Sequence, residues 1–155
     1  MLFRSVARLL AWLTRLPVAF VFYNTVLVFW HLPGPYDAAL EHHPLHVVQH
    51  LTFIGTAVLA WWPIISPEPR LPTAPYGAQM LYLFLLGVPM TAVAAFVTLA
   101  PDPLYRFYAT APRVWDLSPL EDQRLGGVIM WVPAAIAPLV AFTSVFFRWA
   151  AAEPD

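Results

Sequence analysis

The sequence predicts an all-α membrane bundle of about four transmembrane helices, and three observations carry that reading. Hydrophobic residues make up 60% of the 155-residue chain and charged residues only 11%, against about 25% charged in an ordinary soluble domain. The apolar residues gather in stretches of roughly 20 residues, the length that a ~30 Å hydrocarbon core demands of a helix. The ends of these stretches carry helix punctuation, in particular prolines and a capping motif. No repeat or low-complexity tract divides the chain, so residues 1–155 read as one membrane domain.

The elements follow in order. Residues 1–15 interleave Arg4, Arg8 and Arg15 with Leu, Phe and Trp12, the composition of an amphipathic segment lying in the membrane interface. Span 1 is expected over 12–31, with Pro17 near its start and Pro33-Gly34-Pro35 breaking the chain after it. Span 2 is expected over 44–65 and span 3 over 75–99, with the short proline-rich turn "SPEPRLPTA" (66–74) between them and Pro101-Asp102-Pro103 ending span 3. Span 4 is expected over 119–149. Pro44, Pro75 and Pro119 each suit a first helical position, where a missing N–H costs nothing. Ser118 with Glu121 three residues later forms a capping box. Counted from there, span 4 is long enough that Asp122 and Gln123 stand at the interface. Pro89, Pro133 and Pro138 fall inside spans, which membrane helices tolerate when neighbours satisfy the freed carbonyls.

Charge placement sets the expected topology. Arg4, Arg8, Arg15, Arg70 and Arg148 fall on one side. Arg106, Arg113 and Arg124 fall on the other, offset by Asp102, Asp116, Glu121 and Asp122. The positive-inside rule then places both termini in the cytoplasm of a multi-pass plasma-membrane protein, with the loop after span 1 and the 101–118 loop outside. No small-residue cleavage site follows the first apolar run, so no signal peptide is expected. A net charge of -1 offers no basic field for nucleic acid. The absence of cysteine excludes disulfides and thiolate metal sites.

All five histidines, His31, His42, His43, His46 and His50, fall within twenty positions where spans 1 and 2 meet. Imidazole is costly in lipid and there usually faces a partner, a cavity or a metal. The i, i+4 spacing of His46 and His50 presents two rings on one helix face about 6 Å apart. His31 closes span 1 at the same level, and an antiparallel pair of spans brings it toward them. Three neutral imidazoles on adjacent helices suit copper, and zinc accepts them too. Against this stands the blander reading of histidines that merely anchor or hydrogen-bond at the interface. His42 and His43 fit solvated loop positions better than ligands.

On span 4, Asp122, Gly126 and Met130 share a face, and Gly126-Gly127 permits a close helix approach. Asp122 either completes the metal site, orients a histidine or simply caps the helix start. Met90 and Met130 are thioethers suited to Cu(I), although methionine in a span is ordinarily packing. Most aromatics read as interfacial belts, Tyr105 and Tyr108 included.

The segments "FWHLPGPYDAAL", "HVVQHLTFIGTAVLAWWPI" and "DPLYRFYATAPRVWDLSPLEDQRLGGVIMW" together resemble the CtaG-type cytochrome c oxidase assembly factor family, over about residues 29–133. The signature lies in the order of WHLP, H-x3-H running into WWP, and DQ-x2-GG. That resemblance implies a polytopic membrane protein that helps deliver copper to a haem–copper oxidase. It implies His31, His46 and His50 as metal ligands, with Asp122-Gln123 in place of the family's acidic pair. The expected cargo is a copper ion, Cu(I) or Cu(II), and the expected partners are an oxidase subunit or a copper donor protein, within membrane lipid. Two departures stand out. This chain resembles the C-terminal part of longer members, and Gln49 occupies a position where an acidic residue often precedes the second histidine. The expected role is binding and transfer rather than catalysis. Rival readings are a b-type haem electron carrier, a metal-dependent membrane oxygenase, or a small oligomeric subunit with purely structural histidines.

Overall fold

A computed structural model describes residues 2–66, 73–113 and 115–153, with side chains from Ser5 onward. Arg70 and most of the 66–74 turn lie outside the described residues, as does the side chain of Arg4. The described residues form seven helices: α1 (Leu2–Leu13), α2 (Leu16–His31), α3 (Pro33–Glu41), α4 (His43–Ile65), α5 (Tyr76–Leu99), α6 (Phe107–Thr110) and α7 (Pro119–Ala152). Helices α4, α5 and α7 are long and apolar enough to cross a bilayer. The pair α1–α2, bent by 74°, makes a fourth if read as one broken span.

The bend has a local cause. Arg15 is extended at the N-cap of α2 and Pro17 sits in the first turn, where no amide is available to continue the α1 ladder. Trp12 therefore stands on α1, before the bend. Helix α2 has 16 residues, ~24 Å at 1.5 Å per residue. The segment after it differs from the expected loop: residues 33–41 are helical. Pro33 and Pro35 fall in the first turn of α3, where prolines initiate rather than break a helix. His42 alone separates α3 from α4 and is extended there. Helix α4 ends at Ser66, whose left-handed backbone (φ 35°) turns its N–H back to the Trp62 carbonyl at 2.8 Å. On α7 the capping box is present in both directions: Ser118 Oγ accepts from the Glu121 amide (3.3 Å), and the Glu121 carboxylate accepts from the Ser118 amide (2.8 Å).

Helix α2 packs on α4 and α5, and α5 packs along α7. Lipid gives helices no hydrophobic reason to associate, so close packing and polar links must hold such a bundle. Both are present. Trp30 Nε1 donates to Thr52 Oγ1 at 2.9 Å, joining α2 to α4, and the Tyr82 hydroxyl donates to the Ala60 carbonyl at 2.8 Å, joining α5 to α4. Helices α5 and α7 approach closely at Gly127, where an added Cβ would fall against Thr98, 3.0 Å from its nitrogen and 3.2 Å from its Cα. The buried apolar cluster (Ala60, Ile64, Tyr82, Leu83, Leu86, Val145) lies toward the end of the bundle that carries the starts of α2 and α5. Large apolar side chains such as Leu81, Phe84 and Phe96 face outward, as a lipid-facing surface requires.

Candidate metal centre

The opposite end of the bundle gathers the polar chemistry. Because α4 begins at His43, with Pro44 in its first turn, His46 and His50 fall on one face one turn apart. Their ring centroids are 4.6 Å apart and the two Nε2 atoms 2.8 Å apart. His46 is half-buried and His50 exposed. Two nitrogens on one ion, with bonds of 2.0–2.1 Å at 90–110°, stand roughly 2.8–3.4 Å apart. The pair is therefore already close to the spacing of a two-imidazole chelate, and without an ion one ring N–H bridges to the other ring's lone pair.

A second group surrounds a cleft of about 190 Å³ between α2, α3, α7 and the 101–118 segment. His31, the last residue of α2, lines it. Its Nδ1 lies 2.7 Å from the Leu27 carbonyl. A carbonyl only accepts, so Nδ1 carries a proton, and in the neutral ring Nε2 then holds the lone pair. That is the tautomer in which metal-binding histidines are held by backbone oxygens. Across the cleft stand Asp122, Gly126 and Met130 of α7, the face that their i, i+4, i+8 spacing predicted. The Asp122 carboxylate is 3.8 Å from Arg113, which also donates to the Tyr108 carbonyl.

Three tyrosines wall the rest. Tyr105 donates its hydroxyl to the His31 carbonyl at 3.1 Å, the Tyr36 ring stacks on Tyr105 at 4.0 Å, and the Tyr36 and Tyr108 hydroxyls are 3.3 Å apart. Burial is the main cause that raises the Tyr36 phenol, and burial with Tyr108 and Asp37 nearby pushes Tyr105 up to about 12. The 101–118 segment is fastened to the cleft by two buried side chains. Asp37 accepts the amides of Arg106 (3.1 Å), the N-cap of α6, and Phe107 (3.2 Å), its first residue, so a carboxylate on α3 caps a helix about seventy positions away. Gln123 accepts from the Leu104 amide at 2.6 Å and donates to the Val97 carbonyl at 3.1 Å.

The structure thus brings His46 together with His50, and His31 together with Asp122, in two neighbouring groups at one end of the bundle. Among the described residues no set of three or more His, Cys, Asp or Glu side chains is close enough to hold one ion. The α4 ring that reaches His31 is that of Phe53, 6.0 Å away and three residues beyond His50. The remaining candidates separate further. His42 donates from Nδ1 to the Ala38 carbonyl at 3.2 Å, and both His42 and His43 are exposed at the α3–α4 break. Met90 lines an apolar groove with Tyr23 and Trp61, away from the cleft. Asp37 went unmarked by sequence reasoning and Tyr36 was read with the interfacial aromatics, because their partners lie far off in the chain and leave no local pattern.

A family model described as cytochrome c oxidase caa3 assembly factor matches residues 1–152. Among curated proteins, uncharacterized proteins of Mycobacterium bovis and of Mycobacterium tuberculosis are each 24% identical over 146 residues, covering 93% of this chain. The chain spans 22% of the length of each of these relatives. No solved structure matches.

Proposed function

This chain belongs to the cytochrome c oxidase caa3 assembly factor family, and from that premise we propose that it holds a copper ion for insertion into the oxidase. The observation that carries the reading is the 2.8 Å approach of His46 Nε2 to His50 Nε2 on an accessible helix face. These two imidazoles take the ion first. His31, with Nδ1 held on the Leu27 carbonyl, and Asp122 in the adjoining cleft supply the further donors toward which the ion moves as ligands exchange.

The chemistry suits cargo rather than a resident cofactor. Imidazole and carboxylate bind copper, but without the soft thiolates that trap Cu(I). A site with only two protein nitrogens leaves coordination positions open, so an acceptor attaches before the donor rings let go. In this reading both termini are cytoplasmic and the histidines face outward, where a copper donor and an oxidase subunit meet the same surface. The haem rival needs rings on facing helices, whereas His50 is turned to a ring on its own helix.

Copper analysis of the purified protein tests the proposal. Wild type retains stoichiometric copper after loading and desalting, and His46→Ala and His50→Ala each lose it. Unchanged copper content in either variant contradicts the assignment.

A further inference from the structure

The C-terminal half of α7 leaves a long groove against the end of α4. We propose that this groove binds an anionic glycerophospholipid, with its phosphate on Arg148 and an acyl chain laid along α7 toward Pro133. Only 6% of the most apolar stretch of α7 is buried, against 28% for α4 and for α5. The groove encloses about 730 Å³ and is walled by Trp61 and Ile65 of α4 and by Ile136, Val140 and Ala141 of α7, with Arg148 at one end. From Pro133 to Arg148 the helix rises ~22 Å, more than the ~15 Å of one leaflet's hydrocarbon. A chain anchored at Arg148 therefore finds apolar wall over its whole depth.

The polar end fits a headgroup. The Arg148 guanidinium lies 5.7 Å from the centre of the Tyr76 ring, and Thr73 and Ser144 line the same end. Among the described residues Arg148 is met by that aromatic face and not by a carboxylate, so its forked donors are free for phosphate oxygens. A guanidinium without a carboxylate partner at the end of an apolar wall matches an anionic headgroup joined to an acyl chain.

The test offers the purified full chain equal amounts of phosphatidylglycerol and phosphatidylcholine with identical acyl chains in mixed micelles, and reads bound lipid by native mass spectrometry. Phosphatidylglycerol is retained about fivefold over phosphatidylcholine, the preference that one arginine near a headgroup confers. Arg148→Gln abolishes the preference while Arg124→Gln, at the other end of the bundle, keeps it. Ala141→Trp fills the groove and lowers bound lipid of both kinds, with unchanged helical circular dichroism. Equal retention by wild type, or a preference that survives Arg148→Gln, overturns the proposal. So does a lipid-free particle of two chains that Ala141→Trp splits, which would give the groove to a second copy.

Discussion

Gly127→Ala probes how the bundle holds together the end that carries the histidine cleft. A methyl group at this position lands against the Thr98 hydroxyl and comes within 3.0 Å of the Thr98 nitrogen and 3.2 Å of its Cα. The hydroxyl is itself held by the Ala94 carbonyl at 2.7 Å, and the other two atoms are helix backbone, so α7 must move away from α5. Overpacking of this kind costs about 1–3 kcal/mol, while replacing glycine by alanine in a helix returns about 1 kcal/mol. The displacement also strains Gln123, one turn earlier on the same face, whose bonds to Leu104 and Val97 are worth about 1 kcal/mol each. The expected net loss is about 2 kcal/mol, roughly thirtyfold in the folding equilibrium. Gly126 supplies the control, since a Cβ there meets nothing within 4 Å; Gly126→Ala is neutral or slightly stabilising. The assay is reversible unfolding in mixed detergent micelles followed by far-ultraviolet circular dichroism. Thr98→Ala in the Gly127→Ala background recovers part of the loss, because it removes the hydroxyl and leaves the backbone contacts. A Gly127→Ala protein as stable as Gly126→Ala would refute the close-approach argument.

Two further predictions concern the 101–118 segment. Asp37→Ala strips the acceptor from the Arg106 and Phe107 amides and costs about 1–2 kcal/mol; hydrogen exchange at those two amides should accelerate, and unchanged protection would show that the cap is not made. Tyr105 keeps its proton in the fold up to about 12, above the ~10 of an unfolded tyrosine. Its contribution is therefore fully present below pH 10 and is lost as pH rises to 12, because only the unfolded chain releases the proton in that window. Tyr105→Phe should flatten the alkaline loss of stability in a denaturation series, and an identical pH slope in the variant would contradict the burial of this phenol.

The spans were legible because lipid imposes length and apolarity, and because their starts carry residues with one structural meaning. Pro75 stands immediately before α5, Pro119 opens α7, and the Ser118–Glu121 box forms as written. The segment after His31 was harder. Pro33-Gly34-Pro35 reads as a breaker only if a helix must pass through it, and here it starts a new one. The histidines divide for a similar reason. An i, i+4 spacing fixes the partner of His50 on its own helix, whereas the rotation of α2 against α4, which sets Phe53 rather than His50 beside His31, depends on packing that no local pattern encodes. The α7 face of Asp122, Gly126 and Met130 was visible in the spacing. The tyrosine wall and the Asp37 cap were not, since they join residues about seventy positions apart.

In the proposed function His46 and His50 grip one copper ion together. X-ray absorption or pulsed electron paramagnetic resonance on the copper-loaded protein counts bound imidazoles directly. At least two histidine nitrogens are expected on a single copper in wild type, and one fewer in His50→Ala wherever residual metal remains. A wild-type spectrum without imidazole nitrogen, or a count that His50→Ala leaves unchanged, would contradict it.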